Sequence, residues 1–230
     1  MAQSSILINP SDRIAIVGKT GSGKSQLAIV LAGTYARILP EPWEVWWIDT
    51  KADSKDIEAL RGWGFRNALD AKDRLTSPIM NAVYFRCASK GSSGMTIRHQ
   101  AQLVLDMAYQ RRNVYVVIDE FGRVVNSRTS SGESLDKVFF QGRGLNIGFI
   151  GCTQEPVNIP RNLISQAQHQ CLMRLTYRLD IKTIHDLYPW YEPPDRYAFY
   201  WIDVDGTEQV RFYDNQATFY DDLLILEPEN

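Results

Sequence analysis

Apolar residues follow two rhythms along this chain. Five short runs are almost continuously apolar: Arg13 to Val17 (RIAIV), Glu44 to Asp49 (EVWWID), Ala82 to Cys87 (AVYFRC), Val114 to Ile118 (VYVVI) and Ile147 to Cys152 (IGFIGC). Runs of this length without polar alternation suit strands buried on both faces. His169 to Leu175 reads as a further strand. Between the strands the spacing becomes helical. Leu27, Val30, Leu31 and Tyr35 recur within Ser25 to Leu39, a stretch closed by Pro40 and Pro42, and Ile97, Ala101, Leu105 and Ala108 line one face of Thr96 to Gln110. Asp53 to Trp63, Glu133 to Gln141 and Asp180 to Tyr188 predict three more helices. Ser89 to Gly94 and Gly122 to Gly132 read as mobile, polar loops. Tyr197 to Tyr213 predicts a hairpin turning at Asp205-Gly206. Strands alternating with helices predict an α/β fold, with a mainly parallel sheet flanked by helices and a C-terminal β-hairpin. The expected organisation is one domain over residues 1–230. Its core spans about 13–188, and the hairpin and acidic tail (189–230) form an appendage.

Composition narrows the class. At 230 residues, 44% hydrophobic and 23% charged, the chain has the makeup of an ordinary globular domain. No apolar run approaches the roughly 18–20 residues that span a bilayer, and MAQSSILINPSDR lacks the basic start and apolar core of a secretory signal. Cys87, Cys152 and Cys171 show neither metal nor disulfide spacing, so they read as reduced core residues of a cytoplasmic protein. His99, His169 and His185 have no ligand spacing, and the tryptophans, among them Trp46, Trp47, Trp190 and Trp201, read as core. A net charge of −2 and a pI near 5.9 count against a generic nucleic-acid binder. The distribution qualifies that. Basic residues outnumber acidic ones between 86 and 178, and the balance reverses after 179, leaving a local patch for an anionic partner.

The candidate chemistry begins with Gly18-Lys19-Thr20-Gly21-Ser22-Gly23-Lys24-Ser25, which fits G-x-x-x-x-G-K-[ST] at every fixed position. It lies between a predicted strand and a predicted helix, the context a phosphate-binding P-loop needs. The glycines let backbone N–H groups wrap a phosphate chain, and the helix start favours negative charge. Lys24 would reach the β- and γ-phosphates and the Ser25 hydroxyl would sit on Mg²⁺. Asp119, at the end of VYVVI, would hold the water shell of the same ion, and Glu120 would orient and deprotonate a water aimed at the γ-phosphate. That Asp-Glu pair favours hydrolysis over transfer to a metabolite. Gln154, ending the strand after Ile147, would sense the γ-phosphate if its strand neighbours that of Asp119. Arg143, between Gly142 and Gly144, has the setting of an arginine supplied to a neighbouring subunit, with Arg123, Arg128, Arg161 and Arg178 as rivals. Lys90, Arg123 and Arg128 lie in small-residue loops suited to nucleic-acid phosphate contacts.

Together these stretches resemble the FtsK–HerA superfamily of hexameric DNA-pumping ATPases, over roughly Arg13 to Tyr213. Besides GKTGSGKS and VVIDE, Ile48-Asp49-Thr50-Lys51 is similar to the family's Asp-x-Lys, and GRGLNIGFIGCTQEP (142–156) resembles its segment from Gly-Arg to Thr-Gln-x-Pro. The resemblance implies ATP and Mg²⁺ as cofactors, a hexameric ring, translocation of double-stranded DNA, Gln154 as polar sensor and Arg143 as the arginine acting in trans. In size and layout the chain looks like the genome-packaging ATPases of tailless, membrane-containing viruses with double-jelly-roll capsids. That implies action in the host cytoplasm, docked at a capsid vertex on a portal or membrane protein, with no transmembrane segment of its own. Two other classes fit parts of the pattern: an ATP-switched assembly factor that does not translocate, and a small-metabolite kinase.

Overall fold

Strands that are apolar on both faces need cover on both, and the sheet obtains it from helices above and below. The computed structural model describes residues 5–51, 54–68, 78–87, 95–204, 209–226 and 228. The strands are β1 (Ile6–Ile8), β2 (Arg13–Val17), β3 (Glu44–Asp49), β4 (Arg66–Asn67), β5 (Ala82–Arg86), β6 (Val114–Ile118), β7 (Ile147–Thr153), β8 (His169–Met173), β9 (Phe199–Asp203), β10 (Gln209–Tyr213) and β11 (Leu223–Ile225). The helices used below are α1 (Lys24–Ile38), α2 (Ser54–Gly62), α3 (Ile97–Arg111), α4 (Glu133–Asp136), α5 (Asn162–Ser165), α6 (Arg178–His185) and α7 (Gln216–Asp222). Nine strands form one sheet in the order β10-β9-β8-β2-β7-β6-β3-β5-β4. Every pairing from β8 through β4 is parallel, and β9 runs antiparallel to β8 and β10.

The strand period of two divides the core. Ala15, Val17, Trp46, Ile48, Val116 and Ile118 face the α3 side, where Ala101, Leu105 and Ala108 pack with Phe139 and Ile164. Ile14, Ile16, Val45, Trp47, Tyr115 and Val117 face the opposite side, against Leu27, Leu31 and Tyr35 of α1 and Leu60 of α2. The three cysteines are buried, free thiols, and burial pushes that of Cys87 up to about 12. Trp46, Trp47 and Trp201 are core, as expected. Trp190 is not; it is exposed and sits edge-on to Tyr200. No helix among the described residues is long and apolar enough to cross a membrane.

Several elements depart from expectation. The hairpin is no appendage: β9 joins the main sheet through five residue pairs with β8, and buries Phe199, Trp201 and Ile202. Its expected turn at Asp205-Gly206 lies outside the described residues, as does the loop Ser89–Gly94. The tail is bound too, since β11 pairs in parallel with β1 and α7 buries Phe219. Glu133–Gln141 is not one helix. Four α-helical residues lead into π-helical Lys137–Gln141 and 3₁₀ residues Gly142–Leu145. Within Gly122–Gly132, read as a mobile, polar loop, Val124 and Val125 are buried in the core.

Candidate active site

In a parallel sheet every strand ends at the same edge, so loops far apart in sequence converge there. Four meet here, after β2, β3, β6 and β7. Residues 18–23 turn from β2 into α1, and the turn is tied to both flanking strands. The Gly18 N–H donates to the Thr153 carbonyl (3.1 Å) at the end of β7, and the Lys19 N–H to the Arg174 carbonyl (2.8 Å) beyond β8. Gly23 closes the turn at φ 100°, in the left-handed region. No side chain caps α1, and its first turn carries no acidic residue. The N–H groups of that turn are therefore available to an anion, and the helix dipole favours one. Lys24, only 4% exposed, donates from Nζ to the Lys19 carbonyl (2.8 Å). Burial pulls its pKa below the ordinary lysine value, against the nearby carboxylates.

Across this loop stand the carboxylates that follow β6. The Ser25 hydroxyl donates to Asp119 Oδ1 (2.9 Å), and Lys51 Nζ lies 2.9 Å from each Asp119 oxygen. Burial works against the Lys51 charge, but Asp119 outweighs it and the lysine pKa is raised. Glu120 is 8% exposed. Its Oε1 accepts from the Gln154 N–H (3.3 Å), whereas Oε2 is buried with no hydrogen-bond partner among the described residues. Burial raises the Glu120 pKa, with Lys51 opposing. Gln154 joins the two halves, because its side-chain oxygen accepts from the Thr20 hydroxyl while its backbone holds Glu120. A cavity of about 280 Å³ lies between Thr20, Lys24, Ser25, Lys51 and Gln154, and one of about 230 Å³ between Glu120, Arg123 and Gln154.

The structure thus brings together Gly18 to Ser25, Asp119, Glu120 and Gln154, with β6 and β7 adjacent as the sensor reading required. Ser25 and Asp119 offer hard oxygen donors at a phosphate-binding loop, a set that fits magnesium, which takes few protein ligands beside phosphate and water. No cluster of three or more His, Cys, Asp or Glu suited to a metal occurs among the described residues. Lys51 belongs to the site although only its motif, not its role, was expected. The readable signal was its place just past a strand that neighbours the Asp119 strand.

The arginines are placed differently. Arg143 is exposed and precedes β7, at the sheet edge opposite the P-loop, in a cavity with Asn9, Trp43 and Asn146. It does not join this chain's own site. Arg123 donates from Nη1 to the Thr50 carbonyl (2.9 Å), and Arg128 donates to Asn158 Oδ1 from Nε and Nη2 (3.3 and 3.1 Å). Both therefore lie at the rim of the site, with Arg128 sharing a cavity of about 510 Å³ with Lys19, Thr20 and Gln154. Lys90 lies outside the described residues. His169, assigned no role, is buried with Nε2 3.2 Å from Asp12 Oδ2, away from this edge.

A mostly parallel sheet flanked by helices, with this loop between β2 and α1, is the P-loop NTPase fold. Solved structures share it. The genome packaging NTPase B204 from Sulfolobus turreted icosahedral virus 2, in complex with ATP-gammaS, superposes with a TM-score of 0.67 at 16% identity, covering 90% of this chain and 99% of that one. B204, the DNA-packaging ATPase from Sulfolobus turreted icosahedral virus, gives 0.66 at 18% identity over 90% and 99%. VirB4 of Thermoanaerobacter pseudethanolicus gives 0.61 at 13% identity over 87% and 88%. No protein-family model matches the sequence, and no curated protein matches it. At these identities the likeness establishes a common fold, the one expected from the FtsK–HerA resemblance.

Proposed function

We propose that the chain is a magnesium-dependent ATPase that translocates double-stranded DNA, packaging a viral genome into a preformed capsid. The observation that carries the hydrolytic reading is Glu120: a buried carboxylate of raised proton affinity, with one oxygen held by Gln154 and the other without a hydrogen-bond partner among the described residues, one residue beyond the Asp119–Ser25 pair. Such a group can orient a water and accept its proton. Lys24 and the N–H groups of the P-loop bind the β- and γ-phosphates, and Ser25 and Asp119 hold the cation. Magnesium there supplies charge neutralisation on the phosphate oxygens. Gln154, joined to both Thr20 and Glu120, reports whether the terminal phosphate is present.

Translocation is supported by the fold held in common with two packaging ATPases and by the basic excess over residues 86–178. In this reading Lys90, Arg123 and Arg128 grip backbone phosphates without reading sequence. Subunits form a hexameric ring in which Arg143 serves a neighbour's site. The assembly works in the host cytoplasm at a capsid vertex, against a portal or membrane protein. Steady-state ATP hydrolysis with Mg²⁺, over a range of protein concentrations and with or without long duplex DNA, tests it. The rate per subunit should rise with concentration and again with DNA, and Glu120→Gln should abolish it. A concentration-independent rate indifferent to DNA would sink the translocase and favour an ATP-switched assembly factor or a metabolite kinase.

A further inference from the structure

We propose that Tyr197 is the platform on which the base of the bound nucleotide stacks, and that the site selects by stacking area rather than by the base edge. This rests on the reading of residues 18–25 as the phosphate site. The sheet order determines where a nucleoside can go. β2 lies between β7 and β8. The β7 and β6 side is filled by Gln154, Asp119 and Glu120, the groups that face the terminal phosphate. The nucleoside, at the other end of the triphosphate, leaves toward β8 and β9.

Tyr197 stands on that side, immediately before β9. It is 47% exposed although its neighbours Ala198 and Phe199 are buried. Its backbone sits at φ 72°, a conformation that disfavours a side chain and that the loop nonetheless holds. The Arg196 guanidinium lies over one face of its ring, 4.8 Å from the centroid, so in this proposal the base takes the opposite face. The ring also reaches the P-loop itself: a Cβ placed on Gly23 would come within 3.7 Å of Tyr197 Cδ1. An exposed aromatic ring bordering the last glycine of a phosphate loop offers a π-face to whatever base the phosphates carry, and every base has one.

The amide beside it is already oriented by this chain. Gln216, first residue of α7, donates from Nε2 to the Gly23 carbonyl (2.9 Å), and its Oε1 accepts from the Tyr220 hydroxyl (3.1 Å). Held at both ends, this amide braces the P-loop, with one N–H and one lone pair to spare, and in this proposal selectivity lies in the stack. Recognition by stacking discriminates purine from pyrimidine by area, and adenine from guanine weakly.

Equilibrium titration of the β,γ-imido analogues of ATP, GTP and CTP, and of inorganic tripolyphosphate, with Mg²⁺ present, tests the proposal. The two purine analogues should bind within a few-fold of each other, and the pyrimidine more weakly. Tyr197→Gly, which suits the left-handed backbone and so preserves folding, should weaken both purine analogues about tenfold or more while tripolyphosphate affinity stays constant. Tyr197→Phe should keep wild-type affinity. If Tyr197→Gly binds the purine analogues as the wild type does, or if adenine is preferred over guanine by orders of magnitude, the proposal is overturned and the phosphate site stands. If the wild type binds neither nucleotide nor tripolyphosphate, the P-loop reading itself falls.

Discussion

Asp119 and Glu120 are adjacent in sequence, yet their surroundings give them different chemistry. Asp119 is enclosed by Ser25 and Lys51, whereas Glu120 keeps a buried oxygen with no hydrogen-bond partner among the described residues and a raised pKa. A carboxyl whose folded pKa lies above its unfolded value binds protons more tightly when folded. Its contribution to stability is therefore complete below the ordinary glutamate pKa and is lost as pH rises through the folded value. Glu120→Gln removes the charge and keeps the shape. The variant should thus melt above the wild type at pH 8, by roughly 2–4 °C for a gain on the order of 1 kcal/mol, and the gap should close near pH 4. Thermal melts across that range check it, and a pH-independent gap would refute the assignment. Much at this scale was legible beforehand. The eight P-loop residues, Asp119, Glu120 and Gln154 announce themselves by type and by position just after apolar runs. The contacts of Lys51 and Gln216 did not, because they reach across 68 and 193 positions of chain, and the proposed role of Tyr197 depends on its backbone conformation, none of which single-residue chemistry encodes.

Legibility among the elements follows burial. β2, β3, β6 and β7 were readable to within a residue because both faces are apolar, and α1 and α3 because helical spacing ran unbroken for 15 residues in each. The elements missed are short or polar: β1 and β11 have three residues each, and α7 buries a single side chain, Phe219. That side chain nevertheless packs against Trp201, Tyr213 and Phe199 at centroid distances of 4.7, 5.3 and 5.5 Å. It anchors the helix that carries Gln216 to the P-loop. Phe219→Ala should therefore cost about 3–5 kcal/mol in denaturant unfolding, the usual penalty for emptying such a site. It should also weaken nucleotide binding, because Gln216 loses its footing. A tail that is only an appendage would show neither effect, and wild-type stability for this variant would refute the integration of α7.

At the scale of the whole molecule, phosphate transfer uses an arginine that meets developing charge, and the described arginines lining the cavities at Glu120 and Gln154 are Arg123 and Arg128. Arg123 and Arg128 are near but engaged with Thr50 and Asn158. Arg143 is exposed but lies across the sheet from the P-loop. Sequence suggested Arg143 by its glycine flanks and motif, and could not state this separation, which exists only once β7 runs the length of the sheet between Arg143 and Gln154. A residue that cannot reach its own site could act on a nucleotide only in another copy, which makes the proposed ring testable by complementation. Arg143→Ala subunits retain Glu120 but would deprive their neighbours; Glu120→Gln subunits retain Arg143 but cannot activate water. Each variant alone should lose most of its DNA-stimulated hydrolysis, as arginines acting in trans contribute about 10³-fold or more. Mixed before assembly, the two should recover activity that neither has alone, since some interfaces then pair an intact Glu120 with an intact Arg143. Recovery that vanishes on dilution would tie the effect to subunit contact. An Arg143→Ala protein as active as the wild type, or a mixture as inactive as its parts, would remove Arg143 from the mechanism and leave Arg161 and Arg178 as the next residues to vary.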